Sequence, residues 1–521
     1  MKIVFVGAGT FRFGFQLLRN FAAMAKVIPC EVWLVDINEP LLACMIRILK
    51  RITQKSKLTD NLKIDSTPEW VNALEHADAV ILSISIGQQR SEWFDIHIPQ
   101  KFGIPQSTGD TCGPGGVFRA LRCVPVVNRL VRDMAELCPK ATLFNYTNPM
   151  APLVLGAHQT FPQIETLGIC HELLKGMSVI HRYLRRLGKK DIPRWENMEI
   201  KYSGVNHFTW LFSVKYQGED LYPLIRENVN QGKKIAERPL NFKLLKDYGY
   251  FPYAGARHIV EFIPEYYNYF NRITISKYYS PGFSKHSEVL AQINGIPKLR
   301  NVTLLERERH AVVWAYRQIA KGILPCPSPS LKGERGIEML VDRMKSLAGT
   351  YIEEPYRYHP VNAVNKEKKI VSNLPENCVL ESRGHFKDGN IQITNMGSMP
   401  TEISNLVRVH AENTPKIVDA AVSGDPDKLL TALLADPCCQ FIENTESIED
   451  MMWNMLYYEQ KWLPNFKECI PSQEDLCKRK YFVTERDLKG TRRAKKTKWA
   501  PPIILQTKAH FPPMKIRKRK D

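Results

Sequence analysis

The opening segment of this chain narrows its fold more than any other. Lys2 to Val6 is a short apolar run with the composition of a buried strand, and Gly7-Ala8-Gly9-Thr10 follows it directly. A helical pattern runs from Phe13 to Met24, with Phe15, Leu18, Phe21 and Ala22 on one face. The next apolar stretch, Glu31 to Val35, ends in Asp36. Strand, glycine turn, helix, strand and acid make a unit that binds a dinucleotide. Backbone amides approach the pyrophosphate at a helix start, and the carboxylate meets the ribose hydroxyls. Gly7, Gly9, Thr10 and Asp36 are the expected contacts. Asp36 would repel a 2′-phosphate, which favours NAD over NADP. Two departures stand out. Arg12 replaces the third glycine of G-x-G-x-x-G, and the acid comes 27 residues after Gly9 rather than about 20.

The alternation continues. Further strands are expected at Lys63 to Ser66, Ala79 to Ile86, Thr142 to Tyr146 and Glu165 to Ile169, with helices between them, notably Phe118 to Leu137. Such a pattern implies a Rossmann-like, doubly wound parallel sheet. Polar residues gather where its strands end: Gln88, Gln89 and Arg90, then Asn145 and Asn148, then Cys170 and His171. Open α/β sheets place ligands at that edge. A strand-end cysteine is most often a small buried hydrophobe. A thiol beside an imidazole can also bind a metal, transfer a proton or attack an electrophile. The loop Ser107-Thr108-Gly109-Asp110-Thr111-Cys112-Gly113-Pro114-Gly115-Gly116 reads either as a flexible connector or as a loop whose glycines admit a ligand to the backbone. A helical pattern, Leu173 to Leu187, follows Cys170-His171-Glu172.

After about residue 195 the character changes to α+β. Met198 to Ser203 reads as a strand, followed by Gly204-Val205-Asn206-His207-Phe208-Thr209-Trp210. Tyr250 to His258 forms an aromatic turn, and the rest, to about Asn465, reads as apolar helical stretches and loops. The expected division is therefore 1–195 for the dinucleotide, 196–470 for substrate and assembly, and a basic tail, 471–521, disordered or hugging the surface.

The formal net charge is +19, but Lys478 to Asp521 holds 16 Lys or Arg against 3 acidic residues, or +13. The other 477 residues carry only +6, so the basicity belongs to the tail and argues against nucleic-acid binding by the body. Tyr481, Trp499 and Phe511 in the tail would allow at most weak nucleic-acid contact. The sequence opens on a strand rather than a signal peptide, and its longest apolar run, Ala79 to Ile86, is too short for a bilayer. Twelve cysteines without framework spacing fit a reducing compartment, so a cytoplasmic, non-membrane protein is expected.

Taken together, the motifs resemble glycoside hydrolase family 4, most closely its α-galacturonidase-type branch. Six stretches carry the resemblance, in the family's order: Gly7 to Thr10 with Asp36, Gly109 to Gly116, Asn145-Tyr146-Thr147-Asn148-Pro149-Met150, Gly168 to Glu172, Gly204 to Trp210, and Gly255-Ala256-Arg257-His258 with Glu261-Phe262. The family is an exception to two-carboxylate glycosidase chemistry. The resemblance implies NAD-mediated oxidation at C3 of a small glycoside, C2 deprotonation, elimination of the leaving group, water addition and re-reduction. It also implies a divalent metal, typically Mn²⁺, and a homodimer or homotetramer.

Carried over by position, Cys170 and His207 match the metal ligands, Asn145 lies near the nicotinamide, and Asn148 and Arg90 match substrate contacts. His171 matches a leaving-group acid, and Arg119, Arg257 and His258 are candidates for a uronate carboxylate, a task suited to guanidinium. One position departs. Relatives read Gly-Asp-Arg-His where this chain has Ala256, and a methyl group cannot act as the C2 base. Tyr253 is the expected substitute. The loss keeps a second reading open, an NAD-dependent sugar oxidoreductase or impaired homologue; a third, of a different class, is a nucleotide-sensing binding protein whose basic tail engages nucleic acid or an acidic surface.

Overall fold

The architecture follows from a central run of strands that bury both of their faces. The structure, a computed structural model, describes residues 1–488 except 12, 190, 191, 193–197, 234, 236, 268, 270–301, 332–334, 348–358, 389, 443, 485 and 486. β1 (Lys2–Val6), β2 (Cys30–Val35), β3 (Leu62–Thr67), β4 (Ala79–Leu82), β5 (Thr142–Asn145) and β6 (Thr166–Ile169) are all parallel. In β1, Ile3 and Phe5 enter one core while Val4 and Val6 enter the other; Ala79 and Ile81 alternate with Val80 and Leu82 in the same way. Near-continuous apolar strands of this kind must be covered on both sides. α1 (Gly14–Met24), α2 (Glu39–Lys55) and α7 (Glu172–Arg186) contribute to the first core. The short α3 (Val71–Leu74), α5 (Gly113–Leu137) and α6 (Met150–Thr160) contribute to the second, with the helices Thr401–Ser423 and Thr445–Glu459.

Two boundaries differ from the sequence reading. β4 stops at Leu82, because Ser83 and Ser85 break the apolar run and the chain turns towards α4 (Gln88–Lys101). The glycine-rich loop ends earlier than expected, since Gly113 to Gly116 form the first turn of α5.

The larger correction concerns 359–393, read as helical stretches and loops. These residues form β11 (His359–Val364), β12 (Val379–Lys387) and β13 (Asn390–Ile393), which extend the main sheet antiparallel beyond β6. Nine strands therefore run in the order β13-β12-β11-β6-β5-β4-β1-β2-β3. A second, antiparallel sheet holds β7 (Glu199–Val205), β8 (Phe208–Tyr216), β9 (Glu219–Asp220) and β10 (Phe251–Pro252). α8 (Tyr222–Asn230), α9 (Pro239–Tyr248) and the short α10 (Ala256–Phe262) accompany it.

The described residues of the basic tail drawn from 471, which reach Leu488, pack against the body. Gln473–Cys477 is helical, Leu476, Val483 and Leu488 are fully buried, and Arg479 pairs with Glu449 and Asp450 at 2.9 and 3.0 Å. Most of the charge, 12 Lys or Arg against Asp521 alone, lies in 489–521, outside the described residues. Among the described residues, no helix is long and apolar enough to cross a membrane.

Candidate active site

β1 lies between β2 and β4, so the connection order reverses there and opens a crevice at the strands' carboxyl ends. Gly7 sits in it at φ +86°, where a Cβ would stand 2.0 Å from the Ser83 carbonyl oxygen. Only glycine fits both the dihedral and the space. The amides of Gly7 and Ala8 donate to the Val35 carbonyl at 2.8 and 3.0 Å. Gly9 donates to Asp36 Oδ2 at 2.7 Å, and Asn38 donates to Oδ1 at 2.8 Å. Asp36 is thereby held against the turn, with Thr10 closing it onto the Gly7 carbonyl at 3.1 Å.

The turn also adjoins the other strand ends. The Phe13 ring lies 5.4 Å from Tyr146 and 6.3 Å from His171. The Ile84 amide donates to Thr147 Oγ1 at 2.9 Å, joining the ends of β4 and β5. Asn145 is buried and shapes its own turn, accepting from Thr147 N at 2.9 Å and donating to Thr147 O at 3.0 Å. The Asn148 amide oxygen is buried without a hydrogen-bond partner among the described residues. An unsatisfied acceptor at a crevice is what a missing ligand donor leaves behind.

Cys170 follows β6 and is buried; its thiol is pushed up well above its ordinary value by burial and by the Glu381 and Glu172 carboxylates. The Asn206 amide faces that thiol. Asn206 and His207 form the two-residue tip of the β7–β8 hairpin, since Val205 pairs with Phe208. His207 sits at φ +67°, the left-handed region that side chains other than glycine enter at a cost. The hairpin therefore delivers Asn206 to Cys170 and its imidazole to the neighbouring loop.

The His171 and His207 imidazoles are kept neutral. Burial and the neighbouring His258 lower His207 to about 3, and burial and Lys175 lower His171 to about 4. Glu172, in the first turn of α7, shows the opposite balance. Burial opposes its charge, yet Lys175 at 2.9 Å and Arg238 at 3.6 Å hold its carboxyl down at about 2.

The loop 107–111 is latched to α10 from several sides. Buried Glu261 accepts from the amides of Thr108 and Gly109 at 2.7 and 2.8 Å. Arg257 donates to the Ser107 carbonyl, and the Ser107 hydroxyl donates back to the Arg257 carbonyl. Gly109, at φ +64°, would drive a Cβ to 2.4 Å from the Ile96 side chain. This brings Asp110 to the imidazoles: the His207 and His258 rings are 4.0 Å apart, and His258 Nδ1 lies 3.8 Å from Asp110 Oδ1.

Tyr253 is fully buried, packed where Gly176 of α7 leaves space, and its hydroxyl donates to Glu381 Oε1. Asn362 donates to the other oxygen at 3.0 Å. Burial pushes the Glu381 carboxyl up to about 7 against those two bonds. Sequence reasoning passed over Glu381. Its one signal is a lone acid inside Val379-Leu380-Glu381-Ser382, an otherwise buried stretch of β12. Asp110 and Glu261 lie inside the stretches 107–116 and 255–262, where residue type alone assigns them no role.

The three candidate arginines are not gathered at one point. Arg119 donates to the Asn148 carbonyl at 2.9 Å and pairs with Glu92 at 3.3 Å, so it holds the Asn148 turn. Arg257 is spent on the latch. Arg90 lies over Phe94 at 4.7 Å and lines an open cavity of about 560 Å³ with Tyr457, Tyr458, Lys461 and Trp462.

Comparison with known proteins gives the family of this fold. Residues 2–186 match the family 4 glycosyl hydrolases and residues 202–439 match the C-terminal domain of the same family. An alpha-galacturonidase of Lachnoclostridium phytofermentans is 28% identical over 491 residues, covering 89% of this chain and 97% of that protein. A solved structure from Bacillus subtilis, lplD, superposes with a TM-score of 0.74 at 25% identity, covering 88% and 99% of the two chains. The 6-phospho-beta glucosidase of Thermotoga maritima, solved with manganese, NAD⁺ and glucose-6-phosphate, shares the fold at 18% identity, with a TM-score of 0.66 over 89% and 99%. With both of its family models matched over most of its length, this chain belongs to the family 4 glycosyl hydrolases.

Proposed function

We propose that the protein is an NAD- and divalent-metal-dependent glycosidase acting on a small α-galacturonide or a related glycoside. One observation carries the reading. The Gly7 turn, the Asn145–Asn148 turn and Cys170-His171 share the switch-point crevice, and the His207 hairpin closes onto Cys170 through Asn206. The residues fit both groups. A turn that excludes any Cβ at Gly7, with Asp36 at its side, suits a dinucleotide. The neutral His207 imidazole, with Asp110 and His258 gathered around it, suits a borderline divalent ion, and the Cys170 thiol lies outside that group. When bound, NAD⁺ supplies the hydride acceptor for the C3 oxidation, and Mn²⁺ or a similar ion supplies Lewis-acid polarisation of the C2 and C3 oxygens.

The protein's own groups then divide the work. Asn148 offers its unpaired amide oxygen to a sugar hydroxyl, held in place by Arg119 on its carbonyl. His171, neutral and beside the glycine turn, is the hydrogen-bond partner for the leaving oxygen. The missing acid at Ala256 leaves the C2 base to the Tyr253–Glu381 pair. A proton taken up at the Tyr253 oxygen is matched by the phenolic proton passing to Glu381 Oε1. Cytoplasmic location and a symmetric oligomer belong to the same proposal.

The test is aglycone release from nitrophenyl α-galacturonide in D₂O, with and without NAD⁺ and Mn²⁺. Turnover that needs both, with deuterium at C2 of the product, is expected. Tyr253→Phe should lower the rate by ~10²–10⁴-fold. Release without deuterium at C2 excludes the elimination route. A second reading has one observation in its favour: Tyr253 has no exposed surface, and a base must touch the proton it removes. Chemistry that stops at C3 would make the protein a sugar oxidoreductase, recognised by one NADH accumulating per unglycosylated sugar consumed.

A further inference from the structure

We propose that Asp110 and His258 are ligands to the divalent ion alongside His207. The proposal rests on the functional reading above for the ion's presence and adds two side chains to its shell. Among the described residues, Asp110, His207 and His258 form a group whose ligand atoms all lie within 4.8 Å of one another. Three donors at ~2.0–2.2 Å around one ion stand roughly 3–4 Å from one another, so closure needs side-chain shifts of at most about an ångström.

The orientation of the donors agrees. The single proton of the Thr111 hydroxyl goes to Asp110 Oδ1 at 2.8 Å, so at 3.0 Å from His207 Nδ1 the same oxygen accepts. The His207 Nδ1–H is thereby engaged and Nε2 keeps its lone pair for the ion, the arrangement typical of a ligating histidine. Asp110 uses one oxygen towards Thr111 and brings the oxygen donor that Mn²⁺ prefers over sulfur or nitrogen.

The scaffold holds all three in register. His258 and Glu261 are on consecutive turns of α10. Glu261 grips the amides of Thr108 and Gly109, directly before Asp110. His207 is placed by the hairpin tip, at a dihedral that a side chain adopts only under constraint. Three elements distant in sequence thus converge two imidazoles and a carboxylate beside the crevice. The set has a further consequence for Ala256. It stands two residues before His258 at the start of α10, so loss of the acid at 256 leaves these donors intact.

The experiment uses the full chain and Mn²⁺ as the probe. Free Mn²⁺ is titrated by electron paramagnetic resonance in the wild type and in Asp110→Asn and His258→Gln, with NAD⁺ binding measured by fluorescence on the same samples. Each substitution is expected to weaken Mn²⁺ at least ~10-fold while NAD⁺ affinity stays within ~2-fold, since loss of a ligand commonly costs at least as much as loss of its outer-shell partner. Wild-type affinity for Mn²⁺ in both variants overturns the proposal and leaves the glycosidase reading standing. Absence of NAD⁺ binding in the wild type defeats that reading without touching the ligand assignment. Should either variant fail to fold, pulsed resonance on the Mn²⁺-loaded wild type decides: two inequivalent imidazole nitrogens support the assignment, and one overturns it.

Discussion

Gly7 shows how one position can serve fold and ligand together. Its φ of +86° and the Ser83 carbonyl 2.0 Å from any added Cβ leave no room for alanine without moving β4 or the turn. Gly7→Ala is therefore expected to weaken NAD⁺ by at least ~10-fold, equal to ~1.4 kcal/mol, and to lower the urea midpoint as well. Unchanged NAD⁺ affinity in equilibrium dialysis would mean that the cofactor lies elsewhere. The residue scale is also where the sequence was most and least informative. Gly7, Asp36, Cys170 and His207 each sit in a short contiguous motif that local sequence brings to notice. Glu381 meets Tyr253 only across 128 residues, and that meeting depends on a strand pairing that local composition does not reveal. Arg257 and Arg119 read equally well as anion-binding groups or latches. Only their partners, the Ser107 and Asn148 carbonyls, decide.

At the scale of elements, the central parallel strands such as β1 and β4 were legible because burial on both faces leaves uninterrupted apolar runs. β11 to β13 were not. β13 is half-polar, with Asn390 and Gln392 alternating with Ile391 and Ile393, and β11 pairs with β6 nearly two hundred residues earlier. The helices over the second core depend on another long-range device. Arg122 of α5 is buried and makes two bonds to Asp95 of α4, at 3.0 and 2.7 Å, and one to Glu459 at the end of the helix Thr445–Glu459. All three side chains are at most 1% exposed. Removing the guanidinium leaves two carboxyl groups facing each other out of water. Arg122→Met is expected to cost ~3–5 kcal/mol, the range for breaking a buried ion pair from one side. Urea unfolding checks this. A loss under ~1 kcal/mol would mean that the carboxyls take up protons and pair without the arginine.

On the scale of the whole molecule, the C-terminal segment is tied to the site through a buried acid. Asp436 accepts from the Gly113 amide at the start of α5 and from the Cys438 amide, both at 2.9 Å, while the Cys438 thiol donates to the Glu261 carbonyl at 3.0 Å. The chain after 434 thus reaches the latch that places Asp110. Burial raises the Asp436 carboxyl from its ordinary value to about 6, and its two amide bonds offset only part of that. A carboxyl whose value is raised in the folded state favours folding in its protonated form. That contribution is complete below the unfolded value near ~4 and is lost as pH rises through about 6. A shift of roughly two units corresponds to ~3 kcal/mol. The stability of the wild type relative to Asp436→Asn, taken from urea curves, is therefore expected to fall by up to ~3 kcal/mol between about pH 4 and pH 7. A difference that stays level across that window, or rises, would show that the amides of Gly113 and Cys438 hold the carboxylate in its charged form. The joint between the C-terminal segment and the site would then be an anion site instead of a neutral one.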